Sequence, residues 1–125
     1  MDEKEERDSI EKLIYEEERP WGKFRRYPHR IASSLKIVTL NPGGVLSLQY
    51  HNGRSEYWVI LDRGLEITLR DKVWRPEPGE EIFIPVRTAH RLKCVGQSPA
   101  RVMELWLGSS DENDIVRLED IYGRS

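Results

Sequence analysis

The stretch Gly43 to Glu56, GGVLSLQYHNGRSE, constrains this chain more than any other. Side chains alternate faces along a strand, so Ser47, Gln49 and His51 share one face while Leu46, Leu48 and Tyr50 take the other. Asn52-Gly53 is a hairpin signal that brings Glu56 into the next strand, beside the first. A second stretch, Gly79 to Cys94 (GEEIFIPVRTAHRLKC), carries His90. A lone histidine in a strand is ordinarily a surface residue or a satisfied core residue. Gln49, His51, Glu56 and His90 together are a different pattern. Nitrogen and oxygen donors from four places suit one divalent first-row metal, with Zn, Mn, Co, Fe and Ni all compatible. Gln49 is a neutral, weaker donor that can be a ligand or sit just behind the ligands. A closed β fold is what would bring the four to one point.

The rest of the chain agrees with such a fold. Short β-type segments are expected at about 23–28, 35–41, 45–51, 55–61, 65–70, 72–75, 81–84, 90–95 and 100–107. Turn residues punctuate them at Asn41 to Gly44, Asp62 to Gly64, Pro76 to Gly79 and Gly96 to Pro99. This spacing predicts an all-β sandwich or barrel. Residues 2–18 read as a helix, with Ile10, Leu13 and Ile14 as its apolar stripe and Pro20 ending it. The chain thus divides into a helical extension, 1–18, and a β domain, 19–125. In the polar tail, Asp114 to Ile121 reads as one or two helical turns.

A length of 125 residues fits one domain with a modest core. A net charge of −2 gives no basic excess, which argues against a nucleic-acid partner. No apolar run approaches the ~18 residues of a membrane span. The N-terminus, MDEKEERD, is charged where a signal peptide is apolar, and the single cysteine, Cys94, excludes an internal disulfide. A cytoplasmic location is the expectation. Only eight residues are Asn, Gln, Cys or Met, against 35 Glu, Lys and Arg, which leans toward a thermophilic source.

The two central stretches resemble the cupin motifs. The first, G-x5-H-x-H-x4-E, is matched by Gly43, Gln49, His51 and Glu56, with Gln49 in place of the first His. The second, G-x5-P-x-G-x2-H-x3-N, is matched by Gly79, Pro85 and His90, with Arg87 in place of Gly and Cys94 in place of Asn. The resemblance implies a double-stranded β-helix, a jelly-roll barrel, over 19–125, preceded by the short N-terminal helix. A closer resemblance covers residues 19–124: Arg19 to Gly22, Leu46 to His51, then Arg54, Glu56 and Trp58, Ile84-Pro85, His90 to Leu92, Asp114-Ile115, Arg117 and Tyr122 to Arg124. It is to the type II mannose-6-phosphate isomerase domain, often fused behind a guanylyltransferase. That family usually reads Q-x-H-x-H-R-x-E-H-W; here Gly53 replaces the second His and Tyr57 the third.

The resemblance implies metal-dependent isomerisation of mannose 6-phosphate to fructose 6-phosphate through an enediol. A metal at Gln49, His51, Glu56 and His90 would be the electrophile. The family position implicates Arg91 in catalysis, where a guanidinium could stabilise enediolate charge. Arg54, Arg87 and Lys93 are candidates for binding the phosphate of the hexose. Strand alternation sets Arg91 opposite His90, so Arg91 and Lys93 share a face. Glu104 is a candidate base, with metal-bound hydroxide as the other, and equally fits a plain outward residue of its strand. A non-catalytic cupin binding a sugar phosphate or nucleotide sugar is the alternative function, and another cupin enzyme, an oxygenase or sugar epimerase, is a third. The apolar face of Leu46, Leu48 and Tyr50 is expected to pair two copies into a homodimer. The competing arrangement packs Ile10, Leu13 and Ile14 on that face within one chain.

Overall fold

The computed structural model describes residues 2–121 and 123. Tyr122 and Arg124, cited in the motif comparison above, lie outside the described residues. Among the described residues, helix α1 (Glu3–Glu11) is followed by eleven strands: β1 (Tyr15–Arg19), β2 (Gly22–Arg26), β3 (Ala32–Leu40), β4 (Leu48–Tyr50), β5 (Arg54–Ile60), β6 (Leu65–Leu69), β7 (Lys72–Trp74), β8 (Glu81–Ile84), β9 (His90–Cys94), β10 (Ala100–Gly108) and β11 (Val116–Glu119). Two sheets face each other, ordered β3-β10-β5-β8 and β11-β4-β9-β6-β7, and β1-β2 form a separate hairpin. This is the expected double-stranded β-helix with one short helix.

Between the sheets, Trp58, Ile60 and Val102 of the first sheet meet Ile67 and Leu92 of the second, all essentially inaccessible to water. A smaller cluster lies on the outer face of the first sheet, where Ile10 packs on Tyr57, Phe83, Leu105 and Leu107. Ile10 and Ile14 of the helix stripe therefore pack on this outer face and not on the Leu46–Tyr50 stretch, while Leu13 stays exposed. On the same face Glu81 accepts from Arg25 through both carboxylate oxygens, at 2.9 and 2.8 Å, and from the hydroxyls of Tyr27 and Tyr57. That network ties the hairpin to the barrel.

Three expectations are corrected. The helix is shorter than 2–18. Asp2 caps it, with Oδ1 accepting from the Glu5 N–H, and Glu3, Glu5 and Glu6 favour its N-terminal dipole, but it ends at Lys12. Residues 15–19 instead pair with β2, setting Glu16 opposite Arg25 and Glu18 opposite Lys23. The acidic run 16–18, expected as the end of the helix, is a strand whose partner carries the opposite charge. Residues 116–119 are likewise a strand, β11, pairing antiparallel with β4 and covering an edge that would otherwise be open. Finally, the ladder around Gln49 is only three residues long, so the period of two fails just before it. Leu46 packs against the core and lines the same cup as Gln49 and His51. It is not part of an outward apolar strip. Prominent outward apolar side chains lie instead on edge strand β3, at Leu35 and Ile37, which are more than half exposed.

Candidate metal centre

His51 follows β4, Glu56 lies on β5 and His90 opens β9. Antiparallel pairing of Gln49 with His90 brings the second sheet's contributors together. One donor atom from each of His51, Glu56 and His90 lies within 4.8 Å of the other two, and all three residues are buried. Both imidazoles are held in one tautomer. The Nδ1–H of His51 donates to the Asp114 carbonyl at 2.6 Å and that of His90 to the Thr88 carbonyl at 2.8 Å. A carbonyl only accepts, so each Nδ1 carries the proton and each Nε2 presents a lone pair inward. The Nε2 of His90 is buried and has no hydrogen-bond partner among the described residues. That idle lone pair, beside a second imidazole and a carboxylate, is what a divalent cation with N/O preference would use. The three residues can therefore hold a metal ion.

Burial alone would raise the Glu56 carboxyl, yet it is held well below the ordinary carboxylate range; it accepts from the Trp58 indole at 2.8 Å and from Arg54 Nε at 3.0 Å. Burial lowers His90 against the pull of Glu56, which keeps it neutral and ready to ligate. Glu104 behaves in the opposite way. It is buried on the cup face of β10, and burial with the nearby Glu56 charge raises it to about 7, although the Trp106 indole donates to it at 3.1 Å. Glu104 is thus an inward residue, not an outward one.

The cup above the triad has a volume of about 260 Å³. Gln49, Arg54 and Glu104 line it, as do Lys36 and Arg117, neither of which the sequence singles out as a site residue. Lys36 stands directly across the ladder from Glu104, with its ammonium 3.9 Å from the Trp106 ring centre. On β3 the alternating residues Leu35 and Ile37 are the exposed ones, and nothing in the strand's own sequence marks Lys36. Gln49 accepts from the Ser47 hydroxyl at 2.6 Å.

The other arginine and lysine candidates are not brought to this point. Arg91 turns away from His90; its Nε donates to the Leu46 carbonyl at 3.0 Å and its Nη atoms to Glu119. It ties β9 to the β11 end of the sheet. Lys93 is exposed one alternation further along the same face. Arg87 is exposed in the turn before β9, at φ 53°. That is the left-handed region where the cupin motif has glycine, and an arginine there is strained. Replacing Arg87 with glycine is expected to raise unfolding free energy by about 0.5–1 kcal/mol in urea titrations, with no change in metal binding.

Of the two positions where the family carries further imidazoles, one is explained by alternation. Tyr57 lies on the outer face, donating to Glu81 at 2.9 Å, so that position does not address the cup. At Gly53, an added Cβ would sit 3.1 Å from Asp114 Oδ2 and 3.2 Å from Ser109 Cβ. Asp114 uses that space. Its carboxylate accepts from the N–H groups of Asn52 and Gly53 at 2.9 and 2.8 Å while its carbonyl holds His51.

With this geometry in view, comparison with known proteins is decisive about ancestry. Residues 5–120 match the family described as Mannose-6-phosphate isomerase C-terminal. The chain belongs to this family. It is 38% identical over 108 residues to the xanthan biosynthesis protein XanB of Xanthomonas campestris pv. campestris (strain B100), covering 86% of this chain and 23% of XanB. It is 36% identical over 107 residues to a mannose-1-phosphate guanylyltransferase of Klebsiella pneumoniae, covering 85% of this chain and 23% of the relative. The family domain thus spans less than a quarter of either relative. A double-stranded β-helix protein from Klebsiella pneumoniae subsp. pneumoniae, at 13% identity, superposes with a TM-score of 0.62 over 72% of this chain and 77% of its own, which speaks to the fold alone. Among the described residues, no helix is long and apolar enough to cross a membrane.

Proposed function

We propose that this domain interconverts mannose 6-phosphate and fructose 6-phosphate, using one divalent metal held by His51, Glu56 and His90 with Gln49 at its margin. Family membership supports the reading, and one observation carries it: a metal-competent triad with an idle imidazole lone pair shares a cup with a buried carboxyl, Glu104. A metal bound there would supply a Lewis acid for the sugar's carbonyl and hydroxyl oxygens. The remaining work falls to the chain's own groups. Moving a proton between C1 and C2 needs a group that both gives and takes it, and Glu104 is a buried carboxyl on the cup wall, placed to do so. Arg54 stacks on Trp106 with its guanidinium carbon 3.3 Å from the ring centre, on the cup wall where enediolate charge would develop. Lys36 and Arg117 supply cations for a phosphate, a part that the sequence suggests for Arg87 and Lys93.

The second reading is a domain that binds a sugar phosphate or nucleotide sugar without turnover, favoured by the missing imidazole at Gly53. A coupled assay with mannose 6-phosphate, with Zn²⁺, Mn²⁺, Co²⁺, Fe²⁺ or Ni²⁺ added in turn, separates the two. Turnover with at least one metal is expected. Calorimetric binding of mannose 6-phosphate without turnover under any metal would establish the binding-only reading instead.

A further inference from the structure

Arg54 is buried, 6% exposed, and reaches the metal triad directly. Its Nε donates to Glu56 Oε2 at 3.0 Å and its Nη2 lies 3.2 Å from His51 Nε2. Those two acceptors are themselves only 3.1 Å apart. His51 Nδ1 carries the ring proton, so Nε2 has a single lone pair, and it is this lone pair that Arg54 holds. A cation on His51 needs the same lone pair. The triad is therefore unequal: His90 Nε2 is idle while His51 Nε2 is engaged by a guanidinium. Away from the triad, the only hydrogen bond of Arg54 among the described residues is a long one, 3.4 Å from Nη1 to the Asp111 carbonyl. The freed N–H groups would face the cup that Arg54 lines.

We propose that Arg54 and the metal compete for His51 Nε2, and that an oxyanion entering the cup relieves the competition by drawing the guanidinium off the triad, so that anion and metal strengthen each other's binding. This rests on the triad being a metal site and deepens that reading by making Arg54 a positioning residue that links the two ligands. Two effects act together. The hydrogen bond to His51 must break before that nitrogen can ligate, and a buried positive charge beside two ligand atoms opposes a divalent cation. An oxyanion accepts both N–H edges of the fork and offsets its charge. Linkage is reciprocal, so whatever factor the anion adds to metal affinity the metal adds to anion affinity.

The test is Co²⁺ binding by calorimetry and by its visible absorption band, with sulfate as the oxyanion probe against chloride at matched ionic strength. Wild type is expected to bind Co²⁺ about fivefold or more tightly in sulfate. Arg54→Met keeps the aliphatic stem against Trp106 and removes the charge. It is expected to bind Co²⁺ about tenfold or more tightly in chloride and to lose the sulfate effect. Equal or weaker Co²⁺ affinity in Arg54→Met would overturn the proposal, as would a wild type indifferent to sulfate. The wild-type comparison needs no substitution and decides the matter should Arg54→Met fail to fold. Absence of Co²⁺ binding in every arm would instead remove the metal site itself, whereas loss of isomerase activity alone would leave these affinities standing.

Discussion

Replacing His51 and His90 together by alanine is expected to abolish stoichiometric metal binding. Protein loaded with Zn²⁺ or Co²⁺ and then desalted should carry about one equivalent per chain in the wild type and none in the double variant. The reason lies in how the two rings are held. Each Nδ1–H is committed to a backbone carbonyl, of Asp114 or Thr88, so each ring offers one preset nitrogen. Removing both leaves Glu56, a carboxylate that keeps the Arg54 and Trp58 donors and has little need of a cation. The two rings pack against each other with centres 5.1 Å apart, so the variant also opens a cavity, and circular dichroism must accompany the metal analysis. A folded double variant that retains one equivalent of metal would show that the ion sits elsewhere.

Glu104→Gln is expected to lower isomerase turnover by roughly 10²–10⁴-fold while metal content stays unchanged. Gln has the same shape and can still accept from the Trp106 indole, but it cannot move a proton. Glu104 also makes a separate prediction for the stability of the metal-free protein. Its folded value, about 7, lies above its ordinary 4.5, because burial and Glu56 penalise the charged form. Between those values the folded chain binds more protons at this site than the unfolded chain. Stability from Glu104 is thus fully present below about pH 4.5, falls as pH rises, and levels off above about pH 7. The loss is on the order of 3 kcal/mol from a shift of this size. Urea titrations from pH 4.5 to 8 should show that decline in wild type and a flatter course in Glu104→Gln. Equal slopes would mean that Glu104 is ordinary, and a turnover unchanged by the substitution would remove it from the mechanism.

Much of the site is legible in the amino-acid sequence. Gln49 and His51 are two apart in a strand, Glu56 follows a turn, and His90 comes from a stretch of matching pattern. These are local relations, and local relations survive folding. The role suggested for Arg91 fares differently. The period of two already sets it opposite His90, and the structure engages it with Leu46 and Glu119. Position 57 obeys the same rule, since a residue next to Glu56 in a regular strand must face outward. Lys36 is invisible in the sequence because nothing in its strand marks which of two alternating faces turns inward. Only the register of β3 on β10, with Lys36 opposite Glu104 and Val38 opposite Val102, decides which side faces the cup.

By itself the sequence determined the barrel, through short alternating segments and their turns, and three residues of a candidate metal site, through spacing within two segments. Tertiary structure alone decided what depends on partners far along the chain. The acidic run 16–18 became a strand because Lys23 and Arg25 stand opposite Glu18 and Glu16. The tail became β11 because β4 had an open edge to fill. Glu104 turned from an unremarkable carboxylate into a neutral-range acid because the fold buries it near Glu56. Propensity and period act over a few residues, whereas pairing, burial and electrostatics act across the space between elements. The cup of this domain is built from the second kind of interaction on a frame set by the first.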